Sequence, residues 1–264
     1  MMKITTGKKA RPRNVLIYGE HGSGKTTLAA TFPNPVIIDV EGGSDDIDVA
    51  RTDRVLDYAA YQAALSWLVT ADHEFKTAIT DSIDWLEALV WQHVAQANGE
   101  KSIEGIGYGK GYKFAAECFD HLVSGYRALN KRGIATILIC HAKSVKHSPP
   151  GGDSYDRIEP DLNERVQSML LEFCDEVLFL SRKTFTRSED LGFNRERKIA
   201  IADAERILIT SDTAAVVAKN RLQMPTEIPA TFAAYSSYIG DRPKNDIEGI
   251  VVNGSSKKRE LAST

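Results

Sequence analysis

The fold of this 264-residue chain is decided by the stretch Asn14-Val15-Leu16-Ile17-Tyr18-Gly19-Glu20-His21-Gly22-Ser23-Gly24-Lys25-Thr26. An apolar run typical of a strand ends at Tyr18, and a helix-forming run begins at Lys25. The segment between them fits the phosphate-loop pattern G-x-x-x-x-G-K-[ST] in full. Chance produces this pattern about once in a hundred chains of this length and average composition. The sequence therefore predicts a phosphate-binding strand–loop–helix unit, with an ordinary glycine-rich turn as the alternative.

Anion binding by such a loop has a simple physical basis. Gly22 and Gly24 let the backbone curl so that successive N–H groups point at phosphate oxygens, and the helix start adds its positive dipole end. Lys25 supplies a charge to the β- and γ-phosphates, and the Thr26 hydroxyl completes the shell of a Mg²⁺ ion. The predicted nucleotide-binding residues are Gly19, Glu20, His21, Gly22, Ser23, Gly24, Lys25, Thr26 and Thr27. The motif thus predicts ATP and Mg²⁺ as cofactors.

A phosphate loop also needs a carboxylate on the metal side, and two predicted strands end in one. Asp39 follows Val36-Ile37-Ile38, and Asp81 follows Ala78-Ile79-Thr80. If the phosphate-loop strand neighbours the third strand rather than the second, Asp81 is the metal-side acid. We expect Asp81 and Thr26 to hold the metal. The alternative is that Asp81 caps the next helix, a role that is compatible with the first.

Apolar runs alternate with helical patterns along the chain, which favours a mainly parallel sheet covered by helices on both faces. The predicted strands are 14–18, 35–39, 76–81, 133–140 and 176–180, and the predicted helices are 25–30, 57–69, 82–97, 112–131 and 162–173. Short β-like pieces at 198–202, 206–210 and 214–218 predict an antiparallel C-terminal extension. We expect an α/β fold with one ATPase domain over 14–239, a basic mobile segment over 1–13 and a disordered tail over 240–264.

Composition excludes several classes of protein. Lys and Arg number 33 against 36 Asp and Glu, a formal charge of −3, so the chain as a whole is not a polybasic nucleic-acid coat. No apolar run approaches the roughly 18 residues of a membrane span, and the N-terminus lacks the apolar core of a signal sequence. The three cysteines fit reduced core positions better than disulfides or a zinc site. We therefore expect a cytoplasmic protein that does not contact a membrane.

Four stretches of the chain resemble the RecA-like recombinase ATPases, and more specifically the small phage single-strand annealing ATPases of the Sak type. The first is the phosphate loop, and the other three are Ile38-Asp39-Val40-Glu41-Gly42-Gly43, Ile137-Leu138-Ile139-Cys140-His141 and Ala218-Lys219-Asn220-Arg221. The resemblance implies a RecA-like core with nucleotide at a subunit interface of a homo-oligomer. In residues 14–235 nothing matches the family's adenine-stacking aromatic.

The resemblance also implies roles for single residues. Glu41 would orient or activate the attacking water, and His141, where the family often has Gln, would sense the γ-phosphate. Lys219 and Arg221 would reach into the nucleotide of the adjacent subunit, which matters because Lys25 is the only cation that the sequence places near the γ-phosphate. The alternatives are a solvated turn acid for Glu41, a satisfied strand-end histidine for His141 and plain surface charges for the other two.

Two segments predicted to be irregular, 98–113 and 142–165, interleave aromatic and basic residues, a pattern that suits single-stranded DNA. Both correspond to DNA-binding loops in the family that the chain resembles. The predicted contacts are Lys101, Tyr108, Lys110, Tyr112 and Lys113 in the first segment and Lys143, Lys146, Tyr155 and Arg157 in the second. An active-site lid or a plain surface loop is the alternative.

Three functions stay open at this point. The leading one is a Mg²⁺-dependent ATPase that assembles as a ring or filament on single-stranded DNA and promotes annealing or recombination, with a single-stranded-DNA-binding protein as a further candidate partner. The second is a nucleotide-gated DNA-binding module with incidental turnover. The third is a P-loop kinase of a small molecule, which the lack of an Arg-rich lid in the sequence disfavours.

Overall fold

The computed structural model describes residues 6, 11–149, 152–190 and 196–240, so most of the predicted segments 1–13 and 240–264 lies outside the described residues. The strands are β1 (Asn14–Gly19), β2 (Pro35–Asp39), β3 (Ala50–Arg51), β4 (Thr77–Asp81), β5 (Ala135–His147), β6 (Tyr155–Pro160), β7 (Glu176–Asp190), β8 (Glu196–Ile209), β9 (Lys219–Asn220) and β10 (Glu227–Pro229). The α-helices are α1 (Lys25–Ala29), α2 (Tyr58–Thr70), α3 (Ile83–Ala97), α4 (Lys110–Lys131), α5 (Glu164–Phe173) and α6 (Phe232–Gly240), and a 3₁₀ helix spans Ile103–Gly105.

The sheet has the strand order β10-β8-β7-β1-β5-β4-β2-β3. Strand β1 runs parallel to β5 and β7, and β4 runs parallel to β5 and β2, whereas β8 and β10 are antiparallel additions at one side. The predicted α/β fold with a mainly parallel sheet and an antiparallel C-terminal extension is therefore confirmed. Every helix and strand that the sequence predicts between residues 14 and 180 is present.

Alternate residues of β1 face two different helical layers. Leu16 and Tyr18 pack in one apolar cluster with residues of α2, α3, α4 and α5, whereas Val15 and Ile17 pack in a second cluster with α1 and α6. All four side chains are fully buried. A central parallel strand covered on both faces needs apolar residues at every position, which is why the strand appears in the sequence as an unbroken apolar run.

Three parts of the chain differ from the sequence prediction. Residues 142–147 continue β5 and form a β-hairpin with β6, paired from Ala142–Pro160 to His147–Tyr155. Most of its residues are polar and at least partly exposed, so the hairpin lacks the apolar signal of a strand. The pieces 198–202 and 206–210 belong to the single strand β8, and 214–218 contributes one isolated bridge, between Val216 and Ile158.

The parallel strands place their loops at two opposite ends of the sheet. Strands β1, β2 and β4 end at Gly19, Asp39 and Asp81, and Gly19 lies beside His141 of β5. We call this the carboxyl end of the sheet. The opposite side, where β1 and β7 begin, is the amino end. Loops that follow parallel strands meet at one end, so residues far apart in sequence can form one site there.

Arg11 and Arg13, from the predicted mobile segment 1–13, form ion pairs with Asp175 and Glu176 at the amino end of the sheet. Both carboxylates are fully buried. Among the described residues, no helix combines the length and the apolar character needed to cross a membrane.

Candidate functional site

The phosphate loop connects β1 to α1 at the carboxyl end of the sheet. Gly24, the residue before α1, has φ 98°, a left-handed conformation that favours glycine. Gly19 passes so close to β7 that a Cβ on it would lie 2.5 Å from the carbonyl oxygen of Leu180. The two glycines are therefore required by backbone geometry, and they bring the loop against β7.

Lys25 and Thr26 are oriented by neighbouring oxygens. The buried Lys25 donates from Nζ to the carbonyl oxygens of Gly19, at 3.0 Å, and of Glu20, at 2.9 Å. Burial lowers the pKa of Lys25, and the nearby carboxylates of Glu41 and other acids oppose this shift. Thr26 Oγ1 donates to Asp81 Oδ2 at 2.8 Å. The hydroxyl and the carboxylate expected to hold a metal ion are thus direct neighbours.

Asp81 rather than Asp39 faces the phosphate loop. Burial raises the pKa of Asp81 to about 6, although the hydrogen bond from Thr26 acts in the opposite direction. Asp39 instead accepts hydrogen bonds from the backbone N–H of Gly42 at 2.6 Å and from the hydroxyl of Ser44 at 2.5 Å, so it shapes the turn after β2. Strand β4 is not a direct neighbour of β1, because β5 lies between them. Asp81 nevertheless reaches Thr26, since both strands end at the same side.

Glu41 and His141 come together beside this pair. The backbone N–H groups of Val40 and Glu41 donate to the carbonyl oxygen of Asp81, at 2.7 and 3.0 Å, which anchors the segment after β2 to the end of β4. His141 Nε2 lies 3.8 Å from Glu41 Oε1. The ring of His21, from the phosphate loop, stacks on the ring of His141 with centroids 3.9 Å apart.

Asp84, in the first turn of α3, orients His141 and was missed by the sequence analysis. Its Oδ2 lies 2.8 Å from His141 Nδ1, and its Oδ1 accepts the backbone N–H of His141 at 3.1 Å. The hydrogen bond to Asp84 raises the pKa of His141 in spite of burial. Burial alone would raise the pKa of Asp84, but the hydrogen bonds and charge of His141 outweigh it and lower the pKa. The one feature of the sequence that could have indicated Asp84 is its position three residues after Asp81.

These groups line one cavity of about 290 Å³ at the carboxyl end of the sheet. Its walls are His21, Gly22, Gly24, Lys25, Thr26, Thr27, Glu41, Gly43, Ile47, Asp81, His141 and Arg206. We call it the phosphate cavity. It is lined by the phosphate-loop motif, by the carboxylates of Asp81 and Glu41 and by two histidines, which are groups that can bind a phosphate, hold a cation and transfer a proton.

A family model described as an AAA domain matches residues 11–222, which is most of the chain. The chain belongs to this AAA family. It is therefore a nucleotide-binding domain of the P-loop ATPase type. A search of curated proteins finds no match to the chain.

Arg206 is a second residue of the AAA domain that the sequence analysis missed. It lies on β8, and its Cζ is 3.0 Å from the place that a Cβ on Gly24 would occupy. The expectation that Lys25 is the only cation near the phosphates is therefore wrong. The sequence carried no signal for Arg206, because only the pairing of β8 with β7 brings it to the loop.

A second cavity, of about 330 Å³, adjoins the phosphate cavity. The two share Gly24, Thr27 and Arg206, and the walls of the second are largely apolar, with Leu28, Leu180 and Phe232 among them. Phe232 begins α6, a helix that was not predicted, and packs on Phe32 with ring centroids 4.8 Å apart. We call this space the side cavity.

Lys219 and Arg221 of the AAA domain lie away from its own phosphate cavity. Lys219 pairs with Val177 at the amino end of the sheet, and its Nζ donates to the carbonyl oxygens of Leu171, at 2.6 Å, and Glu172, at 3.0 Å. Arg221 donates to Asp175 at 3.0 Å. Their assignment to the nucleotide of an adjacent subunit stays a prediction.

The first predicted DNA segment, 98–113, is largely exposed on the AAA domain, but it is not irregular throughout, because α4 begins at Lys110. Lys101, Lys110 and Lys113 are exposed, and Tyr108 is fully so. Tyr112 is fixed by a hydrogen bond from its hydroxyl to Glu104 at 3.0 Å, and its ring meets Trp91 edge-on. The segment thus presents the ring of Tyr108 and three cations to solvent, of which Lys113 lies 4.0 Å from the carboxylate of Glu117.

The second predicted DNA segment is the hairpin of β5 and β6, and acids neutralise part of its positive charge. Lys143 donates to the carbonyl oxygen of Leu162 and lies 3.8 Å from both Glu159 and Asp161. Arg157 pairs with Asp212 at 2.6 Å. Lys146 is exposed, and the ring of Tyr155 lies 5.2 Å from that of His147. Single-stranded DNA would therefore meet fewer available cations here than on the first segment.

Proposed function

We propose that this AAA domain binds ATP with Mg²⁺ in the phosphate cavity and hydrolyses it. The observation that carries the proposal is the hydrogen bond between Thr26 and Asp81 next to the buried Lys25. A hydroxyl and a carboxylate are the oxygen ligands that Mg²⁺ prefers, so the two residues fit the ion. When bound, Mg²⁺ would neutralise charge on the β- and γ-phosphates.

The chain's own groups supply the remaining steps. Lys25 binds the terminal phosphates, and Glu41 holds and polarises the attacking water. His141 is held by Asp84 with one nitrogen toward the cavity, where its protonated ring donates a hydrogen bond to the γ-phosphate. The raised pKa of His141 favours this charged form. Arg206, on β8 and next to Gly24, adds a second cation to the cavity wall.

The side cavity supports a place for the base and ribose of the nucleotide. The phosphate loop fixes the triphosphate along Lys25 and Thr26, and the side cavity opens next to Thr27. Its apolar walls suit the faces of a nucleobase. This arrangement offers Phe232 as an aromatic near the base, which the sequence did not identify.

Assembly on single-stranded DNA and promotion of annealing or recombination belong to the same proposal. The support is the resemblance to the Sak-type ATPases and the exposed cations of the segment 98–113. Stacking on an exposed ring such as Tyr108 contributes roughly 1–3 kcal/mol per base. The resemblance also places Lys219 and Arg221 at a neighbouring subunit's cavity; to act there, each would have to leave its internal partners, which are two backbone carbonyls for Lys219 and Asp175 for Arg221.

The test compares Lys25→Ala with the control Lys76→Ala, an exposed lysine before β4. We expect Lys25→Ala to abolish measurable ATP binding in calorimetry, because it removes the charge at the terminal phosphates, and to leave the fold intact. Unchanged affinity would overturn the site.

ATP turnover with and without single-stranded DNA then separates a DNA-stimulated ATPase from a nucleotide-gated binding module, and a phosphorylated small molecule would identify a kinase.

A further inference from the structure

The residues His21, Glu41 and His141 form a cluster that the ATPase chemistry does not fully use. One ligand atom from each lies within 4.8 Å of the others. Two imidazoles and one carboxylate are the ligand set of Zn²⁺ and similar transition metals, whereas Mg²⁺ prefers oxygen ligands alone. The cluster therefore selects a different class of ion from the Thr26–Asp81 pair.

His141 is prepared for metal binding by its second contact. Asp84 holds Nδ1 at 2.8 Å, which assigns the ring proton of neutral His141 to that nitrogen and leaves the Nε2 lone pair facing Glu41. A carboxylate on the far nitrogen of a histidine is the usual outer-shell arrangement of protein metal sites, where it fixes the ring and raises its basicity. His141 is buried and cannot turn away from the cavity.

The remaining ligands can close around an ion with small movements. Ligand atoms around a tetrahedral zinc lie ~3.3 Å apart, given Zn–N distances of about 2.0–2.1 Å. His21 is exposed on the phosphate loop, so its ring can rotate from the stacked position toward Nε2 of His141. Glu41 and Asp84 together balance the two positive charges of the ion. Three protein ligands leave a fourth position open for water.

We propose that His21, Glu41 and His141 bind a transition-metal ion of the Zn²⁺ class in the nucleotide-free protein. The ion occupies the phosphate cavity, in the space where the proposed function places the γ-phosphate and the attacking water. Binding of the ion and productive binding of Mg-ATP therefore exclude each other. This second statement rests on the proposed function, whereas the ligand set does not.

The experiment titrates the untagged, nucleotide-free chain with Co²⁺, whose visible absorption reports nitrogen ligands and low coordination number. We expect one tightly bound Co²⁺ per chain, displaced by Zn²⁺ and unaffected by excess Mg²⁺. His21→Gln should weaken binding more than tenfold, and Asp84→Asn should weaken it about 10–100-fold through loss of the outer-shell contact. His121→Gln, which changes an exposed histidine of α4, should bind like the wild type.

Equal Co²⁺ binding by His21→Gln and the wild type would overturn the site, as would a wild type whose spectrum shows oxygen ligands only. His21 is exposed, so this variant keeps the fold, and circular dichroism checks it. Lys25→Ala separates the two proposals. It should lose ATP but keep Co²⁺, because Lys25 offers no ligand to the ion and carries a like charge; loss of Co²⁺ from a folded Lys25→Ala would contradict the assignment.

Discussion

The two ends of the sheet each contain buried acidic groups, but their partners differ. At the amino end, Asp175 and Glu176 accept hydrogen bonds or ion pairs from three arginines, from a backbone N–H and from Tyr235. At the carboxyl end, Asp81 is equally well buried, yet its side-chain hydrogen bond comes from the neutral hydroxyl of Thr26. Lys25 meanwhile donates to backbone carbonyls rather than to this acid.

The pKa values of Asp81 and Asp175 express this difference, whereas burial also raises the pKa of Glu176 despite the opposing contacts from Arg13. Burial raises the pKa of Asp81 to about 6. Burial acts in the same direction on Asp175, but the hydrogen bonds and charges of Arg11, Asn14 and Arg13 outweigh it and lower the pKa. Arginines of the protein therefore complete the charge of Asp175, whereas among the described residues the side-chain hydrogen bond of Asp81 comes from the neutral hydroxyl of Thr26, which suits the proposed binding of Mg²⁺. The four predictions below test this contrast.

The largest effect is expected from Glu41→Gln at the carboxyl end. Gln keeps the shape of the side chain but cannot take a proton from the attacking water, so the ATPase rate should fall about 10²–10⁴-fold. ATP affinity and thermal stability should stay unchanged, as in the control Glu74→Gln, which changes an exposed acid before β4. Turnover at the wild-type rate would remove Glu41 from the mechanism.

Asp175→Asn at the amino end should have the opposite effects: it should lower stability and leave ATP affinity unchanged. It removes the charge of a buried carboxylate, but its partners Arg11 and Arg221 are about half exposed, so solvent moderates the loss to about 2–3 kcal/mol in the free energy of unfolding. Because the pKa of Asp175 is lowered in the folded protein, the lost stability is the part present above about pH 4. Urea titration at pH 7 measures the loss, and ATP affinity under native conditions should not change. A variant as stable as the wild type would contradict the claim that Asp175 stabilises the fold.

Asp81→Asn should stabilise the nucleotide-free protein while preventing Mg-ATP hydrolysis. Since folding raises the pKa of Asp81 to about 6, its favourable contribution is present at low pH and is lost as the pH rises through that value. At pH 7.5 the variant should therefore unfold with a free energy higher by ~1–3 kcal/mol, and the gain should disappear near pH 4. Destabilisation at pH 7.5 would show that Asp81 is a completed structural charge like Asp175.

Arg206→Ala should produce the smallest change. The guanidinium is exposed, so its removal should weaken Mg-ATP by about fivefold, or ~1 kcal/mol, without altering stability. Binding of Mg-tripolyphosphate should weaken by the same factor, because Arg206 lies over the phosphate loop rather than deep in the side cavity. Calorimetry measures the affinities for both ligands. Arg165→Ala, on α5, is the control. Weakening of ATP alone would place Arg206 against the base.

Local features of the candidate site were predictable from the sequence because each depends only on residues that are neighbours in the chain. Gly19, Gly24 and Lys25 are specified by one loop, whose backbone conformation depends on its own glycines. Asp81 was one of two candidates, since each follows an apolar strand. The choice between them needed the strand order, which local pattern does not contain.

Other parts of the site depend on contacts between distant segments. Arg206 reaches the phosphate loop only through the antiparallel pairing of β8 with β7, and Phe232 reaches it through α6. Asp84 and His141 meet because α3 begins at the end of the sheet where β5 passes Gly19. The pairing of 142–147 with 155–160 was missed because neither segment is an apolar run: Ser144–His147 are exposed, and β6 is half-buried but mostly polar.

The sequence by itself determined the α/β architecture and the phosphate loop, because burial of apolar runs and the conformational needs of glycine act over a few residues. The tertiary structure alone decided which acid faces Thr26, which cations line the phosphate cavity, and that two histidines and Glu41 share one space. The physical reason is that side chains interact through space over a few ångströms. The sheet order, set by the packing of the whole core, determines which distant residues come that close.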